Sequence, residues 1–208
     1  MPYDAGPTDL FYTHQQRLLE LSRQADFARL RFCRLCQSLL LHAFGDAVGR
    51  FAPPDAAAVY AEVEAYFAGL DPADVAGDAV QGRIRELDLR RERAWPGPDE
   101  FEEPDVEGEE YDRFRCVLEV DNCTAYLCGF ALREHGPYPL ARREDDLVGC
   151  ANAVLNATDL RLDGGVEGEH ARYSLEVESY ARQADAFERI RAGETDVRRL
   201  FYPLPAWT

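Results

Sequence analysis

The apolar positions of this chain recur mostly at intervals of three and four, the spacing that gathers side chains on one face of an α-helix. Residues 8–22 carry Leu10, Phe11, Leu18, Leu19 and Leu21, which predicts a first amphipathic helix. Residues 27–44 hold Phe27, Leu30, Phe32, Cys33, Leu35, Cys36, Leu39, Leu40 and Leu41, interrupted mainly by Arg29, Arg31, Arg34, Gln37 and Ser38. Apolar surface reaches round much of that helix, so it is predicted to be largely buried and to end near Phe44 and Gly45. Pro53 and Pro54 mark a break and Asp55 is a candidate N-cap. The helix predicted over 56–68 then shows Val59, Tyr60, Val63, Tyr66 and Phe67 before Gly69. Asp71 and Pro72 restart the pattern, and residues 73–93 predict a helix with Val75, Val80, Ile84, Leu87 and Leu89 and an arginine-rich face.

The composition then changes. Residues 95–110 contain three prolines and a run of carboxylates, and predict a surface loop. Helical spacing returns over 111–134, where Phe114, Val117, Leu118, Ala125, Cys128 and Leu132 trace a stripe interrupted by Asp121 and Asn122. Residues 145–158 predict a further helix, 159–168 a glycine-rich acidic loop, 169–190 another helix, and 195–200 a short one. Strand signals are scarce and no internal repeat appears. The expectation is an all-α chain, an irregular bundle of about seven helices with an acidic Pro-rich loop in the middle, in one domain over 1–208.

Charge changes the picture. The 39 acidic residues outnumber 23 basic ones, for a formal net charge of -16, and every basic residue is arginine. With no lysine, amine nucleophiles, Schiff bases and P-loop phosphate sites are excluded. The excess negative charge repels phosphate backbones and anionic lipid, so no nucleic acid and no membrane partner is expected, and a basic protein partner is favoured. No apolar stretch approaches the roughly 18 residues of a membrane span and no secretory pattern opens the sequence, which makes a cytoplasmic location the default. Arginine and alanine richness points to a high-GC bacterial genome.

Candidate chemistry is sparse. Cys33 and Cys36 form a CxxC pair, but they stand at core spacing within a helix and have no second CxxC or paired histidines, so they read as packing. Cys116 and Cys123 share a helix face, with Cys150 on a neighbouring helix. Residues 159–170 superficially resemble a calcium loop, but Arg161 and His170 occupy two ligand positions. No metal and no cofactor is expected. His14, His42, His135 and His170 sit in no catalytic motif and no catalytic residue is assigned. Asp121 and Asn122 are the candidate pocket, because a carboxylate in an apolar stripe must be paired or solvated; the arginines of 83–93 are available to it.

The stretches Phe27-Ala-Arg-Leu-Arg-Phe-Cys33, Asp121-Asn122-Cys123, Ala151-Asn-Ala-Val-Leu155 and Glu176-Val-Glu-Ser-Tyr180, followed by Phe187, resemble the YjaG-like family of helical bacterial proteins of unknown function. The resemblance implies an all-helical fold and brings no catalytic residues with it. Three readings follow. The first is a non-catalytic protein-binding module, in its most specific form an immunity protein neutralising a bacterial toxin through an acidic surface. Its partner-binding residues are Asp99, Glu100, Phe101, Glu102, Glu103, Asp105, Glu107, Glu109 and Glu110, with Trp95 and Phe101 as aromatic anchors. The second is an enzyme of unknown reaction with a pocket near Asp121. The third is a structural or regulatory helical protein whose acidic loop is merely solvated.

Overall fold

The computed structural model describes residues 7–23, 26–95, 104–134, 140–163 and 169–194. Among them are eight α-helices and no strand: α1 (Pro7–Ser22), α2 (Asp26–Ala43), α3 (Gly45–Phe51), α4 (Pro54–Gly69), α5 (Asp78–Ala94), α6 (Glu109–Glu134), α7 (Leu140–Asp163) and α8 (Glu169–Arg191). A single 3-10 turn, Pro72–Asp74, precedes α5. The all-α expectation holds, and no described helix is long and apolar enough to cross a membrane.

The girdle of apolar residues on α2 explains its central place. It packs against α6, α7, α8, α4, α3 and α1, and Phe32, Cys33, Cys36 and Leu40 are completely buried. Phe32 meets Phe187 of α8 with ring centroids 5.5 Å apart. The buried apolar residues form one connected cluster to which every helix from α1 to α8 contributes.

Helices α6 and α7 run antiparallel in a register that several contacts fix. Cys116 Sγ lies 3.9 Å from the Ala157 carbonyl and Cys150 Sγ lies 3.8 Å from that of Cys123. In the same register the Tyr126 ring lies on the backbone of Gly149, where an added Cβ would stand 2.7 Å from ring carbons. Helices α5 and α6 are antiparallel too: Gln81 donates to the Ala131 carbonyl at 3.2 Å, and Arg91 meets Asp121 one helix-length away.

Several boundaries differ from the sequence pattern for local reasons. The helix expected to end at Gly45 is followed at once by α3, whose seven residues are too short for a periodic signal and include Gly45 and Gly49. The helix expected from Ala73 is split, because the Asp71 carboxylate accepts from Ala73 N at 2.9 Å and closes a 3-10 turn before α5 begins at Asp78. Asp55 lies in the first turn of α4, with Pro53 at the cap. Helix α7 extends through Asp163, so the first residues of the calcium-like stretch are helical and cannot wrap an ion. At its C-terminus α8 ends on Gly193 at φ 93°, with Gly193 N bonding to Ile190 O and Glu194 N to Arg189 O, the paired closure that glycine permits. The short helix expected over 195–200 lies outside the described residues.

Candidate functional site

A polar cluster sits where α4, α5 and α6 meet, and each helix supplies a group its own pattern does not explain. On α4 the fully buried Tyr60 ring belongs to the core, while its hydroxyl reaches the α5–α6 seam. There it donates to Asp121 Oδ1 at 2.9 Å and accepts from Trp95 Nε1 at 2.6 Å. The second Asp121 oxygen accepts from Arg91 Nη1 at 2.9 Å, and Arg91 Nε donates to Asp88 Oδ1 at 3.2 Å. The chain of contacts thus runs Trp95, Tyr60, Asp121, Arg91, Asp88.

The charges in this cluster shape one another. Burial, reinforced by the Asp121 charge, drives the Tyr60 phenol well above its ordinary pKa, so it is a neutral donor. Burial works against the Arg91 cation, but Asp121 and then Asp88 more than offset it, and its pKa is raised. Burial raises Asp88 and Arg91 only partly opposes it. Cys128, packed near the same carboxylates, is held as a thiol chiefly by burial. Each charged member has an opposite partner and each Asp121 oxygen has a donor. Such an arrangement fixes three helices relative to one another and chemically favours no proton transfer.

Asp121 and Asn122, paired in the sequence as one pocket, face different neighbours. One residue advances the helix by 100°, so Asn122 is exposed and turns toward Glu119, whose other partner is Asn156 of α7 at 3.2 Å. Burial raises the Glu119 pKa against both amide contacts. Open clefts among the described residues lie elsewhere. One of about 340 Å³ is lined by Asp55, Ala58, Val59, Arg90, Arg93 and Ala94 at the α4–α5 seam. Another, of about 280 Å³, lies between α2 and the end of α4.

Of the acidic partner-binding residues, Asp99, Glu100, Phe101, Glu102 and Glu103 lie outside the described residues. Asp105 and Glu107 are exposed just before α6. Glu109 and Glu110, expected at the end of the loop over 95–110, belong instead to the first turn of α6, where carboxylates complement the helix dipole. They are also paired: Glu109 with Arg113 at 2.7 Å, and Glu110 with Arg50 of α3 at 2.6 Å. Trp95, expected as an exposed anchor, is instead half-buried, because Tyr60 offers its indole an acceptor.

All six cysteines are buried and unbridged. Cys33, Cys36, Cys123 and Cys150 come together from α2, α6 and α7, and burial pushes Cys36 and Cys150 far above the usual thiol range. Among the described residues no group of three or more His, Cys, Asp or Glu is placed to hold a metal ion. His14 is buried between α1 and α8, its Nε2 at 2.8 Å from Gln183 Oε1 and its ring 4.8 Å from that of Tyr180. The Gln183 amide continues to the Ala151 carbonyl of α7 at 3.3 Å. His42 is exposed beside Glu64, which takes a 2.5 Å hydrogen bond from Ser38. Sequence patterning missed Tyr60 and Trp95 as polar participants, since both count as apolar in a periodicity; only the unexplained Asp121 marked the place. No family model, curated protein or solved structure matches the chain.

Proposed function

We propose that this protein is a non-catalytic binding module that meets a basic protein surface through residues 99–112. The observation that carries this reading is the charge of that stretch, which holds nine carboxylates and no cation, against a total net charge of -16. Its described part supports the reading further: Asp105, Glu107 and Glu109 are exposed at the entrance to α6. Arg50 of α3 pairs with Glu110 and holds the base of the stretch against α3, while Arg113 pairs with Glu109 one turn along α6. A concentrated negative surface accelerates encounter with a positively charged partner and selects it by sign.

The specific form we propose is an immunity protein that covers the basic surface of a bacterial toxin, within the YjaG-like family and in the cytoplasm. Affinity capture from the source cell tests it. The wild-type chain is expected to retain a basic protein at 50 mM salt and lose it at 500 mM. A chain with Asp99, Glu100, Glu102, Glu103, Asp105 and Glu107 changed to Asn or Gln should fail at both. Equal recovery by the two chains sinks the reading.

A further inference from the structure

The cleft at the α4–α5 seam carries two opposite charges that do not pair. Its α4 wall is made by Asp55, Ala58 and Val59 and its α5 wall by Arg90, Arg93 and Ala94. Within each wall the residues stand about one helical turn apart, so they share a face. Asp55, Ala58 and Arg93 are exposed, and Ala94 is half-buried. Arg90 is committed on one side to Glu62, which its Nη1 meets at 2.7 Å. Arg93 and Asp55 have no ion-pair or hydrogen-bond partner among the described residues. Elsewhere on α5 opposite charges close on each other, as Arg83 does on Glu86 and Arg91 on Asp88. Here they border one space of about 340 Å³ without meeting, and Ala58, Val59 and Ala94 bring no polar side-chain atom between them.

We propose that this cleft binds a free α-amino acid with an aliphatic side chain. The ligand's carboxylate lies on Arg93, its ammonium on Asp55, and its side chain along Ala58 and Ala94. A guanidinium offers five N–H donors in a planar fork that suits a carboxylate, so the donors Arg90 does not use on Glu62 add a second contact.

The mixed lining selects the ligand class by sign. A plain anion in the cleft faces the Asp55 carboxylate, and a plain cation faces two guanidinium groups. A zwitterion satisfies both walls at once. The volume falls at the small end of ligand sites, roughly 300–1,000 Å³, which suits a molecule of amino-acid size. The site is separate from residues 99–112, so this proposal and the proposed function can each fail alone.

Calorimetric titration of the full chain with L-alanine, L-valine and L-leucine tests the assignment, with amide proton–nitrogen spectra to locate the contact. At least one is expected to bind saturably at millimolar concentration and to move the Ala58 and Ala94 amide signals. Its N-acetyl derivative lacks the ammonium and its C-terminal amide lacks the carboxylate, and each should bind at least tenfold more weakly. Asp55→Asn and Arg93→Gln should each weaken the free amino acid to the same degree. Both positions are exposed, so circular dichroism and the melting temperature stay unchanged. Ala58→Trp, at an exposed position of the α4 wall, fills the cleft and abolishes binding in a folded chain. The proposal is overturned by the absence of saturable binding, by equal binding of either derivative, or by binding indifferent to the Asp55 and Arg93 changes.

Discussion

Arg91 and Asp121 meet at 2.9 Å across the seam of α5 and α6, with side chains only 11% and 19% exposed. At that burial the pair is more than a surface ion pair, because removing one charge leaves the other poorly solvated. Arg91→Met is expected to cost about 2–4 kcal/mol in urea denaturation, and the double variant Arg91→Met with Asp121→Leu to recover most of it. A single-variant cost below about 0.5 kcal/mol, the range of exposed pairs, would mean the pair is fully solvated.

The Tyr60 hydroxyl is the hinge between the indole of Trp95 and the carboxylate of Asp121. Tyr60→Phe keeps the buried ring and deletes both bonds, at an expected cost of about 1–3 kcal/mol. In a Trp207→Phe background Trp95 is the remaining tryptophan, and its emission should shift to the red once the indole loses its acceptor. An unchanged spectrum would show that Trp95 is held by packing alone.

This cluster marks the limit of what periodicity conveys. Asp121 stood out because a carboxylate in an apolar stripe demands a cation, and the helix over 73–93 offered one. Tyr60 and Trp95 gave no such signal, because their rings satisfy the apolar pattern and only three-dimensional packing shows where the polar tips point. Long helices such as α2, α6 and α8 were legible from their stripes. Helix α3 was not, since seven residues complete fewer than two repeats. The length of α7 was hidden as well, because its two ends carry charges that resemble loop composition.

Gly149 provides a test in which two effects oppose each other. Alanine favours a helix interior over glycine by about 1 kcal/mol, yet its Cβ would meet Tyr126 ring carbons at 2.7 Å. Gly149→Ala should therefore lower stability in the wild-type chain, by about 1–3 kcal/mol. In a Tyr126→Ala background the same change should raise it. Thermal melts of the four proteins read the sign, and stabilisation in both backgrounds would mean that the ring swings aside freely.

The buried thiols make a counting experiment. Thiolate is the reactive form, and all six cysteines are covered, with Cys36, Cys128 and Cys150 pushed toward the neutral thiol. An aromatic disulfide reagent at pH 8 should modify close to none in the native chain within minutes and all six after addition of denaturant. Rapid reaction of one or more native thiols would place that cysteine at the surface.

His14 gives a pH dependence with a definite sign. Burial lowers its pKa, and the neighbouring Arg17 does too, while the Gln183 contact only partly opposes them. The unfolded chain then binds a proton more readily than the folded one, so stability is complete above about pH 6.5 and declines as the pH falls toward the lowered value. Between pH 7.5 and 5 the wild-type chain should lose more stability than His14→Gln. Parallel curves for the two would exclude His14 as the cause.

The central position of α2 also bears on the order in which the molecule is completed. Its Phe32 is covered by Phe187, and α1 is tied to α8 by His14 and Gln183, partners 169 residues apart in the chain. During synthesis α2 is made well before its cover in α8. Until α8 follows, Phe32 of α2 lacks that cover, and a holding chaperone acting on that interval would act on this helix.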